Sequence, residues 1–459
     1  MSERRLTRRR LLGTAATGAA VLAAGCDASI GQGATGKKVV VIGAGMAGLG
    51  AARVLEAEGC RAVVVEARER IGGRVHSVER FGTTIDLGAS WIHDSRGNPL
   101  TEIARKAGLA TVPTDYERVA LRRSSGEPIS NRAFGRAASA WEGIRSELYR
   151  RSWRQGNRSL GPTLGEMVDA RVRAGVDRAA LEWLCGVEVP LDWAADPREI
   201  SIEGFGEGET YRGGPDLLIR GGAGQLISWL AEGIDVRKGD PVREVSRSRR
   251  DVRLTLSSGE VIRADGCVVT VPLGVLKAGK VRFEPALPAG HRRAIRNLGF
   301  GLLDKTFLSY GSSWWDRDWT QIATAGYGIG RTISAFTLNG LTGEPLLCGF
   351  TGAEFARRLE GAGPEGATPV VVGRLRQGFG PGAEPDAALS TKWARDRFTR
   401  GSYSFLTPSA SPRDRAVLAS PADRVILAGE HTSTERPATM DGALLAGRRA
   451  AARLAALLR

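Results

Sequence analysis

The most restrictive feature of this chain is an apolar strand pattern that runs without interruption into a glycine-spaced turn. Lys38-Val39-Val40-Val41-Ile42 is continuous and β-branched, as expected of a strand buried on both faces of a parallel sheet. Gly43-Ala44-Gly45-Met46-Ala47-Gly48 follows at once, then a helical stretch over 49–58 stopped by Gly59, then a second apolar run over 62–65. In a βαβ unit of this spacing Gly43 permits the tight turn, Gly45 lets a pyrophosphate reach the backbone, and Gly48 lets helix and strand pack closely. Met46 and Ala47 belong to the same cofactor-binding turn, and the N-terminus of the helix that follows offers unpaired N–H groups and a positive dipole end to phosphate. Glu66 closes the second strand, 23 positions after Gly43, where it can accept hydrogen bonds from ribose hydroxyls. This much predicts a dinucleotide without choosing between NAD and FAD.

A chain of 459 residues is too long for one simple core and suits two domains. Its formal charge is +15, but five arginines against Glu3 make the first ten residues +4, so the remainder carries +11. The arginines are scattered and no basic stripe alternates with aromatics, so no nucleic-acid partner is expected. Two readings of the residual charge stay open: an arginine-rich composition, or contact with an anionic membrane surface.

The N-terminus reads as an address and not as fold. Thr7-Arg8-Arg9-Arg10-Leu11-Leu12 resembles a twin-arginine export signal, and the uncharged stretch over 11–25 is too short to span a bilayer comfortably. Leu22-Ala23-Ala24-Gly25-Cys26 resembles a lipoprotein cleavage box with Cys26 as the lipidated residue, although Ala23 stands where a larger aliphatic residue is usual. Simple cleavage with Cys26 unmodified is the alternative. Residues 27–36 form a short flexible tether. The expectation is passage through the twin-arginine translocation machinery, either to a lipid anchor on the outer face of the cytoplasmic membrane or to secretion. Any cofactor would be loaded before export. Cys60, Cys185, Cys267 and Cys348 show no metal-like spacing, and packed free thiols are expected. His76, His93, His291 and His431 are dispersed, so no metal site is expected either.

The residues after Glu66 choose the nucleotide. Ala67-Arg68-Glu69-Arg70-Ile71-Gly72-Gly73-Arg74 resembles the extension of FAD-dependent oxidases and dehydrogenases, in which the glycines and arginine approach the pyrophosphate and ribityl chain. Ile85-Asp86-Leu87-Gly88-Ala89-Ser90-Trp91-Ile92-His93, with Gly97-Asn98-Pro99-Leu100, resembles the flavin amine oxidase family, and within it polyamine oxidases and lysine-specific histone demethylases. Asp304-Lys305-Thr306-Phe307-Leu308, Trp393 with Arg400-Gly401-Ser402-Tyr403-Ser404, and Ala428-Gly429-Glu430-His431-Thr432-Ser433 running into Pro437-Ala438-Thr439-Met440 agree with the same family. The resemblance covers residues 37–459, loosely between about 110 and 185.

The resemblance implies several roles. Gly88, Ala89, Ser90 and Trp91 would lie on the flavin side, Val242 against the adenine, and Gly429, Glu430, Thr439 and Met440 in the C-terminal FAD signature. Lys305 would hold a water against flavin N5, and Tyr403 and Trp393 would wall the amine. Thr439 stands where monoamine oxidases have a second tyrosine. His93 would line the substrate channel, with a purely structural role as the alternative. Glu203, Glu207 and Glu209 would attract a cationic substrate, with a solvated acidic loop as the alternative. Ser402 replaces the cysteine that bonds flavin in monoamine oxidases, which implies non-covalent FAD. No carboxylate-binding arginine is visible over 88–93, so amines are expected in place of amino acids.

The expected class is α/β: a Rossmann-like FAD-binding domain interleaved with an α+β substrate-binding domain. The FAD-binding domain would comprise 37–93, 213–275 and 420–459, and the substrate domain 94–212 and 276–419. The expected activity is oxidation of a primary or secondary amine, polyamine-like, by hydride transfer to flavin N5. O₂ would reoxidise the flavin to give H₂O₂, and the imine would hydrolyse to an aldehyde. A secondary-metabolite oxidase or desaturase of the same fold, or a non-catalytic lipid-anchored flavoprotein, remain alternatives.

Overall fold

The structure, a computed structural model, describes residues 34–459 except 156, 209, 210, 212 and 364. The export signal, Cys26 and Glu209 lie outside the described residues.

The sequence-predicted βαβ unit forms as β1 (Lys38–Ile42), α1 (Met46–Ala57) and β2 (Arg61–Val65). The helix begins three residues earlier than its apolar periodicity indicated, because Gly45 is its N-cap and Met46 and Ala47 make its first turn. Both strands enter a six-stranded sheet in the order Pro421–Ala422, Val425–Leu427, Gly266–Val269, β1, β2, Val236–Arg237. All neighbours are parallel except the short Pro421–Ala422 edge. Side chains of β1 alternate between two cores, as strand geometry requires. Val39 and Val41 pack with α1 and the closing helix Met440–Leu458. Val40 and Ile42 pack with Val245, Leu254 and Ile262 of a four-stranded sheet on the opposite face. Covering both faces is what allows an uninterrupted valine run.

Two glycines set how closely the helices approach. A Cβ on Gly48 would sit 1.8 Å from the Gly43 carbonyl oxygen, and one on Gly447 would sit 1.9 Å from that of Ala47. Helix α1 therefore meets strand turn and closing helix backbone to backbone, which no larger residue permits.

A second six-stranded sheet is ordered Ala387–Ser390, Leu303–Ser309, Leu346–Gly352, Ser334–Thr337, Gln321–Ala325, Val119–Arg123. Its strands pair antiparallel except the last two. Phe307, Ala323 and Phe336 face the helices Asn131–Gln155, Leu160–Arg173 and Arg178–Gly186, while Leu308, Ile322 and Leu347 face Phe355 and Val371 on the other side. Trp141 and Trp183 sit in those helices. Trp193 instead lies in a bend just after a π-helical turn, Val187–Leu191, half-buried against the same core.

The boundaries placed at 275 and 420 fall inside one packed core. Leu287, Ala294, Leu298, Phe300, Leu406 and Leu418 share a cluster with Val40, Ile42 and Val245. The strand Arg282–Glu284 also pairs with Val242–Arg247. Segments 276–300 and 406–418 therefore pack with the dinucleotide side. Apolar pattern along the chain marks that they are buried, not which core they join.

Candidate active site

A cavity of about 1640 Å³ runs from the carboxyl ends of the parallel strands into the space between the two sheets. Single-ligand pockets are typically ~300–1,000 Å³. The volume therefore fits a dinucleotide together with a second small molecule.

At one end lie Glu66, Ala67, Arg68 and Val242. The Glu66 carboxylate is buried, accepting the Ala44 N–H at 2.8 Å through Oε2 and the Arg68 N–H at 2.9 Å through Oε1. These two backbone donors leave its outer lone pairs for hydroxyl donors. Arg68 is held by Asp396 at 2.6 Å and stacks over Phe398 at 5.1 Å. Val242 is buried and lines the cavity beside Pro241.

The glycine turn divides its labour as the spacing predicts. Gly43 has φ +103°, and Gly48 is closed by the Gly43 carbonyl. Gly45 differs: a Cβ there would meet nothing nearer than Gly72 O at 3.7 Å, and its φ is an ordinary −88°. The protein does not itself demand a glycine at this position. The space a side chain would take is cavity, in front of the α1 N-terminus where a pyrophosphate fits. Gly73 lines the same space, and Arg74 reaches across to the Ser402 carbonyl at 2.6 Å and Glu430 at 2.9 Å.

Glu430 is a joint more than a lining group. Its two oxygens accept Arg74, the Ser404 N–H at 3.2 Å, the Ser404 hydroxyl at 2.6 Å and the Ala438 N–H at 3.2 Å. Burial pushes its carboxyl up, but Arg74, His431 and Ser404 prevail and draw it down to about 2. Ala438 sits at φ +62°, a conformation that costs a non-glycine residue about 1–3 kcal/mol. Glu430 holds it there, immediately before Thr439 caps the closing helix by accepting the Gly442 N–H at 3.0 Å. Met440 follows as a buried cavity wall, and Gly429 lines the cavity at φ +142°. His431 is fully buried and its ring is pushed down to about 4 by that burial, so it is neutral and structural.

The middle of the cavity brings together Lys305, Trp393, Tyr403, Gly88, Ala89, Ser90 and Trp91. A Cβ on Gly88 would sit 1.8 Å from the Arg74 carbonyl, and the Ala89 N–H donates to that carbonyl at 3.0 Å. Lys305 is 6% exposed and donates to Asp86 O at 2.8 Å, Gly88 O at 2.6 Å and Ser90 Oγ at 2.5 Å. Burial pulls its ammonium below the usual lysine range, against the raising influence of Cys348 and Asp86. All three N–H bonds of an ammonium are thus taken by the protein. A water could bind Lys305 only by displacing one of them or by meeting the neutral amine. Trp393 Nε1 donates to Leu87 O at 3.1 Å and the Tyr403 hydroxyl to Leu191 O at 3.0 Å, which fixes both rings.

The far end is walled by Tyr116, His93 and Asp216, by Glu142, Arg145 and Tyr149 of the long helix, and by Glu188 and Asp192 around the π-turn. The acids expected in the loop after 202 contribute less. Glu207 is buried and clamped by Arg415, at 2.9 Å from Nε and 2.6 Å from Nη2. Burial still leaves its carboxyl above the usual value. Glu203 is absent from the cavity wall, in a one-turn helix Ile202–Phe205. Glu207 borders the cavity with its carboxylate engaged by Arg415, and further acids on the wall include Glu142, Glu188, Asp192 and Asp216. One signal could have found two of them: Pro190, a proline inside a helical pattern, marks the π-turn.

A family profile described as flavin-containing amine oxidoreductase matches residues 46–455. Polyamine oxidase 3 of Oryza sativa subsp. japonica is 33% identical over 432 residues, covering 90% of this chain and 88% of that protein. Polyamine oxidase 2 of Arabidopsis thaliana is 31% identical, covering 90% and 87%. Lysine-specific histone demethylase 1 homolog 1 of Oryza sativa subsp. japonica is 33% identical over 91% of this chain but only 52% of that protein. A solved structure of wild-type putrescine oxidase bound to putrescine superposes with a TM-score of 0.77 at 20% identity, covering 92% of this chain and 99% of that one.

Proposed function

The chain belongs to the flavin-containing amine oxidoreductases, and from that premise we propose that it oxidises a small di- or polyamine with O₂ as co-substrate. The observation that carries this reading is the single continuous cavity. It joins a dinucleotide cradle at Gly45 and Glu66 to a far end lined by Glu142, Glu188, Asp192 and Asp216.

FAD, when bound, supplies the two-electron acceptor and the route to oxygen. Ser402 supports non-covalent attachment: it carries no thiol, and its hydroxyl is engaged with the Leu303 backbone at 2.9 and 3.0 Å. Gly45, Gly73 and Arg74 would hold the pyrophosphate and Glu66 the ribose. Trp393 and Tyr403 confine the amine so that one carbon faces the reactive ring. The product imine hydrolyses to an aldehyde and either ammonia, from a primary amine, or a smaller amine, from a secondary one, with hydrogen peroxide as the oxygen product. A global charge of +11 beyond the first ten residues repels cationic amines at long range. The acids of the far wall act locally, where low-dielectric walls focus their field.

The proposal extends to location: a twin-arginine signal delivers the folded flavoprotein, and Cys26 anchors it to the outer face of the cytoplasmic membrane. That segment supports the reading through its sequence alone.

The test is to supply spermine, spermidine, putrescine and simple aryl amines to the yellow holoenzyme and record peroxide. Turnover of a di- or polyamine ahead of aryl amines is expected. Silence toward all of them would sink the oxidase reading. Lys305→Met separates catalysis from mere cofactor carriage: turnover should fall roughly tenfold or more with flavin retained, whereas a non-catalytic flavoprotein would be unaffected.

A further inference from the structure

Asp216 lies two residues past Gly213-Gly214, where the chain returns to the cavity wall. Its carboxylate collects three donors from two segments. Oδ2 meets His93 Nδ1 at 2.8 Å and the Tyr116 hydroxyl at 2.9 Å, and Oδ1 accepts the Asp94 N–H at 3.0 Å. Burial pushes this carboxyl up, yet the bonds from His93, Asp94 and Tyr116 outweigh it and hold the group well below the usual carboxylate range. An ionised carboxylate can only accept, so the His93 proton that faces it is on Nδ1. In the neutral ring Nε2 is then the acceptor. Among the described residues no hydrogen-bond partner is found for that nitrogen, and His93 lines the cavity.

The arrangement is braced from behind. Asp94 is held at φ +50°, with its side chain paired to Arg436 at 3.0 Å. Asn98 Nδ2 donates to the His93 carbonyl at 2.7 Å. The Tyr116 ring meets Phe336 edge-on at 5.9 Å. Other charged groups lining the cavity with His93 include Arg96, Glu142, Arg145, Glu188 and Asp192.

An amine reaches the site from neutral water as an ammonium ion, but the carbon beside nitrogen is oxidised only when nitrogen holds a lone pair. A proton must therefore leave inside the cavity. Lys305, Tyr403 and Thr439 cannot take it as they stand: each donates to a protein acceptor, the last to Arg436 O at 3.0 Å.

We propose that Asp216, steadied by Tyr116 and the Asp94 backbone, is a positioning residue that fixes His93 so that Nε2 takes the proton of the incoming ammonium group. This rests on the amine-oxidase reading. The substrate N–H bond breaks as the Nε2–H bond forms. The imidazolium charge is balanced by Asp216, which stays ionised, and the proton passes to water before the next turnover.

The experiment measures kcat/KM for the best amine from about pH 6.5 to about pH 10, a range over which the neutral fraction of an alkylamine rises steeply. Wild type, His93→Ala, Asp216→Asn and Tyr116→Phe are compared, with flavin absorbance and circular dichroism confirming intact holoenzyme. Near neutral pH, His93→Ala should lose roughly a hundredfold and Asp216→Asn roughly tenfold. Both deficits should close toward alkaline pH, where the amine arrives already neutral, and imidazole should restore part of the His93→Ala rate. The downfield Nδ1 proton signal of His93 should vanish in Asp216→Asn. A deficit of equal size at every pH means a structural role and overturns the inference, as does an Asp216→Asn enzyme indistinguishable from wild type. A wild type silent toward every amine removes the oxidase reading and this inference together. An active wild type with unmoved variants removes this inference alone.

Discussion

The two ends of the cavity are built on different physical plans. At the nucleotide end the functional atoms are largely backbone: the α1 N-terminus, the bare face of Gly45, and Glu66 clamped by the N–H groups of Ala44 and Arg68. Those contacts arise within the short stretch from Ala44 to Arg68 and follow from local φ, ψ and spacing. At the amine end they are side chains from segments around 93, 116, 142, 188 and 216, meeting only because two sheets and a helical layer pack. A backbone site is rigid and generic. A side-chain site can be retuned without disturbing the fold, which suits the part of an enzyme that chooses its substrate.

Three variants would break or sharpen that contrast. The largest effect is expected at Glu207, which the structure places in the framework joining the ends. Glu207→Gln leaves the fully buried Arg415 guanidinium without its carboxylate, so stability should fall by about 3–5 kcal/mol. Denaturant unfolding would show this, while KM for the amine should stay unchanged. A raised KM with unaltered stability would return Glu207 to the substrate site. Next comes Gly45→Ala. Because its φ is ordinary and its Cβ meets only cavity, unfolding of the flavin-free protein should be unaltered. FAD affinity, measured by titration, should drop by about 2 kcal/mol, a typical cost of overfilling a packed site. Loss of stability in the flavin-free protein would show that Gly45 is a packing glycine like Gly48. The smallest effect is expected at Glu188→Gln. This group is partly solvated and lies 3.4 Å from Arg145, so the change should raise KM for a diamine by about 1 kcal/mol or less. The turnover number and unfolding should not move. If KM is also unmoved, the far wall reads substrate by shape and not by charge.

Legibility in the sequence follows the same divide. The strand–glycine–helix–strand run and Glu66 were readable because each is a local pattern with a physical reason at each position. Helix α1 still started earlier than its periodicity showed, since its first turn is written in glycine and methionine and not in an apolar stripe. The acidic cluster at 203–209 was visible, but charge alone cannot say whether a carboxylate meets solvent, substrate or an arginine 208 residues away. Glu207 turned out to meet the arginine. Asp216 gave no signal, because its meaning lies wholly in two partners more than 90 positions distant, His93 and Tyr116. Pro190 was a signal available and passed over.

By itself, then, the sequence determined that this chain carries a dinucleotide on a parallel sheet and that the dinucleotide is FAD. The first property resides in backbone conformations dictated by near neighbours, the second in local motifs shared with a known family. Which core residues 276–300 and 406–418 join, which carboxylates face the cavity, and how Lys305 and His93 are held were decided only by tertiary packing. Each of those depends on where a side chain's distant partner comes to rest, and hydrogen bonds and burial are properties of the folded pair, not of either residue alone.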